Sequence, residues 1–174
     1  HEIHSFSATM TKKISRRYLA DLSEITTIKQ KRISKNLYYH DTKIYTSFSR
    51  KPTKLDTFLK ELLSLPMDIT SFDPSYVSYA SKTILPVKLT DTSKALIVQL
   101  LEKENLYPIM KLLYNAQLLV ELIPILKMII NQPQFDGYHK HPVDIHSIKT
   151  LYHIQNVKDP FLQVLYAKLT TNQK

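Results

Sequence analysis

The 174-residue chain contains no cysteine and a single glycine, and its acidic side chains are outnumbered by basic ones, 15 to 24. Without cysteine there is no disulfide framework, no thiol nucleophile and no zinc-thiolate site. That favours a reducing compartment, and a cytoplasmic protein is expected. One glycine in this length, alongside abundant Leu, Ile, Lys and Tyr, argues against sheets joined by tight glycine turns and for a helical body. Long apolar runs are also missing. The longest, 118–130, is interrupted by Glu121, Pro124 and Lys127 and falls short of the ~20 residues a bilayer requires, so no membrane partner is expected. Nothing in the chain resembles a signal peptide. Nucleotidyl transfer needs a Gly-Ser pair for the triphosphate and an Asp-x-Asp for two Mg²⁺ ions, and neither occurs. Gly137 stands alone, so there is no phosphate-cradling glycine loop, and no Gly-x-Ser-x-Gly elbow suggests a serine hydrolase.

What is present supports a folded domain. A hydrophobic content of 43% is enough for a core. The formal charge of +9 is concentrated early, in Lys12-Lys13, Arg16-Arg17, Lys29, Lys31-Arg32, Lys35 and Arg50-Lys51. Such an excess serves a nucleic-acid surface, an acidic partner or solubility alone. Aromatic interleaving of the kind that stacks bases is weak here, which ranks nucleic acid behind a protein or nucleotide partner.

Periodicity assigns the elements. Ile14, Tyr18, Leu22, Ile25 and Ile28 form a helical stripe within 3–31. Two β-rich runs, 37–39 and 44–46, flank a polar turn and read as a hairpin, so the His40-Asp41 pair sits at a hairpin tip rather than in a metal site. Pro52 opens a helix carrying Leu55, Phe58, Leu59, Leu62 and Leu63, and Pro66 stops it. Asp73-Pro74 starts the next, with Tyr76, Val77, Ala80 and Ile84 as its buried face. Asp91 or Thr92 caps a third, with Leu96, Ile97, Leu100 and Leu101 inward. Two more occupy 106–116 and 118–130, the latter bent or begun afresh at Pro124. A helix over 142–156 shows apolar residues at Ile145, Ile148, Leu151, Tyr152 and Ile154, with His146, Thr150 and His153 together on another side. Asp159-Pro160 starts the last, with Leu162, Leu165, Tyr166 and Leu169 inward. The expected fold class is all-α, a helical bundle with one small β-hairpin near residues 37–46.

The chemistry is concentrated in one window. Between Gln134 and His146 lie the only glycine, three histidines (His139, His141 and His146), two aspartates and Pro142. Asp136-Gly137 signals a turn and Pro142 a helix start. His146 is an adequate metal ligand only when others join it, since a catalytic site uses about three protein ligands plus water.

The run Phe135-Asp136-x-Tyr138-His139-x-x-x-Val143-Asp144-x-His146 resembles the entry to the HD phosphohydrolase domain of the bifunctional uridylyltransferase/uridylyl-removing enzymes that modify the PII nitrogen-signalling protein. In that family the run reads approximately F/Y-D-x-[FY]-H-x-Y-T-V-D-x-H. Here Pro142 replaces the usual threonine and His141 the usual aromatic. The resemblance extends upstream through the hairpin, the Leu-rich helix at 52–66 and the helical run 106–130. It implies a long connecting helix over 1–32, a hairpin and helical connector over 33–131, and the first part of an HD-type domain over 132–174. It further implies that His146 corresponds to the first histidine of an H…HD…D ligand set for Mg²⁺ or Mn²⁺, with His139 and Asp144 supporting the site. His141 and His153 are left as solvent or packing residues. The partners implied are UTP and a PII-type protein, whose uridylylated tyrosine is hydrolysed to release UMP. The His-Asp pair and distant Asp that complete such a set do not follow His146 here, so the chain reads as a fragment, inactive by itself. Two other expectations stand beside this one: a non-enzymatic adaptor that docks an acidic protein, and a nucleic-acid-binding helical module. Exposed apolar surface in a truncated domain leaves room for a dimer, and the oligomeric state stays open.

Overall fold

The computed structural model describes residues 31–34, 36–47, 50–130 and 142–170, and the helix expected over 3–31 lies almost wholly outside them. Its fold is mixed α/β, which corrects the all-α expectation. Seven α-helices and a four-stranded mixed sheet are found among the described residues. None of these helices is long and apolar enough to cross a membrane.

The sheet runs β1 (Lys31–Ser34), β2 (Leu37–His40), β3 (Lys43–Thr46) and β4 (Ser71–Phe72), in that spatial order. The expected hairpin is β2–β3, paired antiparallel with His40 opposite Lys43. Its two-residue loop places both Asp41 (φ 46°) and Thr42 (φ 56°) in the left-handed region, the geometry of a type I′ turn. Threonine is strained there because its Cβ is branched. Contacts with Thr70 hold it, through the two hydroxyls (2.7 Å) and through the Thr70 amide donating to the Thr42 carbonyl (2.8 Å). The two strands that the sequence concealed sit at the edges. β1 pairs antiparallel with β2, and β4 adds a parallel pair to β3. Lys-Arg-Ile-Ser has one apolar residue and no alternation to read, and two-residue β4 is too short for any period.

Helix α1 (Leu55–Leu63) is the centre of the core, with Phe58, Leu59 and Leu62 wholly inaccessible to solvent. Burial of each contributes roughly 1.5–3 kcal/mol. It begins three residues later than Pro52 suggests, because Lys54 instead forms a parallel bridge with Ile84. The Leu55 amide donates to the Ile84 carbonyl at 3.1 Å, and the Ile84 amide to the Thr53 carbonyl at 2.8 Å. For the same reason α2 (Pro74–Ala80) ends early and Ile84, expected on its buried face, is 56% exposed. Asp73 caps α2 as expected, its carboxylate accepting from the Ser75 amide (2.9 Å). Helix α3 (Asp91–Leu101) is capped by Thr90 rather than Asp91 or Thr92. Its Ser93 hydroxyl donates to Asp56 at 2.5 Å, which ties α3 to the first turn of α1.

A second bond between segments is ionic. The Arg50 guanidinium grips Glu61 through both carboxylate oxygens, lies 4.0 Å over the Tyr79 ring, and shares Glu61 with the Tyr76 hydroxyl (2.7 Å). Burial, then the Glu61 charge and its hydrogen bond, push the Tyr76 phenol well above its ordinary pKa.

Helix α4 (Leu106–Asn115) ends in a left-handed Gln117 (φ 59°), with the Leu118 amide donating back to the Leu113 carbonyl at 2.8 Å. This is a Schellman stop made without glycine. A single turn, α5 (Leu119–Leu122), then gives way at Pro124 to a 3₁₀ helix, Pro124–Met128. Helices α6 (Val143–Gln155) and α7 (Pro160–Lys168) complete the described chain. Asp159 caps α7, accepting from the Leu162 amide at 3.0 Å. Leu162, Leu165 and Leu169, expected inward, are 50%, 44% and 38% exposed. Tyr166, expected inward with them, is half-buried and lines a cleft with Leu151 and Ile154 of α6.

Candidate functional site

The window with the densest chemistry enters the described structure at Pro142, which takes the N-cap position of α6 with extended backbone (φ −55°, ψ 158°). Its carbonyl accepts from the His146 amide at 3.0 Å, closing the first helical turn. Proline there supplies the φ that a helix start needs and withholds no amide the helix would use.

Two residues on, Asp144 is 4% exposed, the only described residue of α6 to be buried. One carboxylate oxygen accepts from the Tyr114 hydroxyl of α4 at 3.1 Å and the other from the Ile145 amide at 2.8 Å. A carboxylate in the first turn also faces the positive end of the helix dipole. Burial first, and then the bond to Asp144, raise the pKa of Tyr114. Asp144 therefore fastens α6 to α4.

His146 follows Asp144 by two positions, about 200° around the helix. The two side chains leave α6 on opposite sides, and His146 is exposed. It shares the exposed side with Thr150 and His153, as the spacing predicts, and the Thr150 hydroxyl donates to the His146 carbonyl (3.0 Å). Of the apolar positions on α6, Ile148 and Leu151 pack against the core. Tyr152 and Ile154, expected to join them, are 46% and 40% exposed. His139, His141 and the Asp136-Gly137 turn lie outside the described residues. His40 and Asp41 are at the hairpin turn, as expected.

The far end of α6 is fastened by Gln155. Its carbonyl oxygen accepts from the Tyr107 amide (2.9 Å), and its amide group donates to the Glu104 carbonyl. Asn105 at the N-cap of α4 makes no side-chain capping bond, so Gln155 supplies the missing acceptor from a neighbouring helix. Between the two ends, the Tyr107 and Tyr152 rings meet at 5.0 Å between centroids. Beside this junction a cleft of about 660 Å³ opens, walled by Leu101, Leu106, Leu151, Ile154 and Tyr166.

Neither Tyr114 nor Gln155 is identifiable from the sequence. Each is an ordinary helix residue whose importance comes from a partner 30 or more positions away. The structure brings Asp144 to Tyr114 and separates it from His146. Among the described residues no group of three or more His, Cys, Asp or Glu stands close enough to hold a metal ion. The described residues thus do not by themselves fit Mg²⁺ or Mn²⁺. No protein-family model, curated protein or solved structure matches the chain.

Proposed function

We propose that the chain is the helical connector and entry helix of a nucleotidyltransferase-HD enzyme that acts on a PII-type signalling protein. The observation that carries this reading is the division of labour within Val143-Asp144-x-His146. Asp144 is turned inward and spent on Tyr114, while His146 is presented outward from a helix whose two ends are both fastened. A histidine intended as a metal ligand needs that arrangement, because its helix must be held by groups that do not compete for the ion. Asp144 is accordingly a positioning residue in this reading and His146 the ligand. The reading requires the remaining ligands to come from outside the described residues. With those ligands supplied, His146 would help to hold a divalent ion, whose chemistry would be to activate water for phosphodiester hydrolysis.

The test uses the natural polypeptide that carries this chain, supplied with a uridylylated PII-type protein and Mg²⁺ or Mn²⁺, with UMP release followed by chromatography. Metal-dependent release is expected, falling by about 100-fold in His146→Ala and by less in Asp144→Asn, whose amide oxygen still accepts from Tyr114. Unchanged release in His146→Ala, or none with either metal, sinks the reading.

A further inference from the structure

Away from α6, two neighbouring segments also expose apolar side chains. The loop between α2 and α3 carries Ile84 (56% exposed), Leu85 (37%) and Val87, which is fully exposed at its tip. Beside it the 3₁₀ helix carries Ile125 (67%) and Met128 (66%), three positions apart and therefore on one face. The loops are neighbours, since Leu85, Pro86 and Val87 line one side of a cleft of about 230 Å³ and Glu121 and Pro124 the other. Five exposed apolar side chains thus lie on two adjoining segments, and grouped apolar exposure of this kind often marks an interaction site.

The rim is basic. Lys82 and Lys88 bracket the loop, and Lys54 is bridged through its backbone to Ile84. All three are exposed, and none forms an ion pair among the described residues. The nearby acids are already engaged: Glu121 with Lys127 at 3.5 Å and Asp91 with Lys94 at 3.0 Å. Uncompensated positive charge around an apolar centre selects a partner that is apolar on one face and acidic at its edges.

We propose that this surface docks an acidic amphipathic helix of another protein, whose apolar side chains enter the cleft between the loops while its carboxylates meet Lys54, Lys82 and Lys88. A single-stranded nucleic acid fits less well, because none of the five exposed side chains is an aromatic on which a base would stack. Binding to a bilayer is the other outcome that the vesicle arm below tests. This surface is separate from His146 and does not depend on the enzyme reading.

The full chain is titrated into a fluorescein-labelled acidic peptide with Leu and Glu at helical spacing, and anisotropy is recorded. Parallel arms use a scrambled peptide of the same composition, phosphatidylserine-containing vesicles and poly-uridine RNA. Saturable binding of the amphipathic peptide is expected. It weakens by about tenfold in Lys54→Ser/Lys82→Ser/Lys88→Ser and by about tenfold in Val87→Ser/Ile125→Ser, with the unfolding midpoint of each variant unchanged because every altered side chain is exposed. Equal binding of the scrambled peptide, indifference to either set of substitutions, absence of saturable binding, or binding confined to vesicles or RNA would each overturn the proposal.

Discussion

Residues 31–122 and residues 142–170 are held in place by different forces. Every buried apolar side chain among the described residues lies between Leu37 and Leu122. The second region contributes none, and its one buried residue is a carboxylate, Asp144. The first region is therefore organised by removal of apolar surface from water, with the Arg50–Glu61 pair set inside it. The second adds only the partly buried Ile148 and Leu151 to that core and is fixed in addition by directional bonds at two points, Tyr114–Asp144 and Gln155–Tyr107. Burial is cooperative and non-directional, so it makes a body that melts as one. Hydrogen bonds at the ends of a helix set its rotation and allow it to detach alone.

Four substitutions separate these two modes. Phe58→Ala should cost about 4 kcal/mol and lower the urea midpoint of the whole chain, because Phe58 is inaccessible and touches both Tyr76 and Tyr79. Glu61→Ala should cost about 3 kcal/mol, since it strands the Arg50 charge in a site where both side chains are mostly buried. Tyr114→Phe should cost about 1 kcal/mol and appear locally, as faster amide hydrogen exchange in α6 with little change in α1. Phe161→Ser should shift stability by no more than about 0.5 kcal/mol, because Phe161 is 70% exposed. A global shift from Tyr114→Phe equal to that of Phe58→Ala would abolish the distinction between the regions.

Alkali gives a gentler probe. The Tyr76 pKa is raised in the folded chain, so the fold favours its neutral phenol. Stability is intact below the free phenol's pKa of about 10 and falls as pH rises past it. In Tyr76→Phe that dependence should flatten, as read from urea midpoints collected across the alkaline range.

The features legible in the sequence are those written in adjacent residues. Asp73-Pro74 and Asp159-Pro160 announce helix starts, and the runs around Asp41-Thr42 announce a hairpin, because cap and turn chemistry act over two or three positions. The full sheet is not legible there, since β1 carries no alternation and β4 exists only through its partner β3. The apolar stripe of α7 stays exposed because a helical stripe says which residues can be buried together, and not that another element arrives to bury them. At the candidate site the motif identifies Asp144 and His146, but their separate surroundings follow from a Tyr114 that no local pattern connects to them.

The cap that Gln155 lends to α4 has a mechanical consequence. Because the first turn of α4 borrows its acceptor from the last residue of α6, a pull that lifts α6 removes the stop from the Tyr107 amide at the same moment. Load applied near Gln155 thus runs directly into the start of α4, and about two turns further along that helix stands Tyr114, the second anchor of α6.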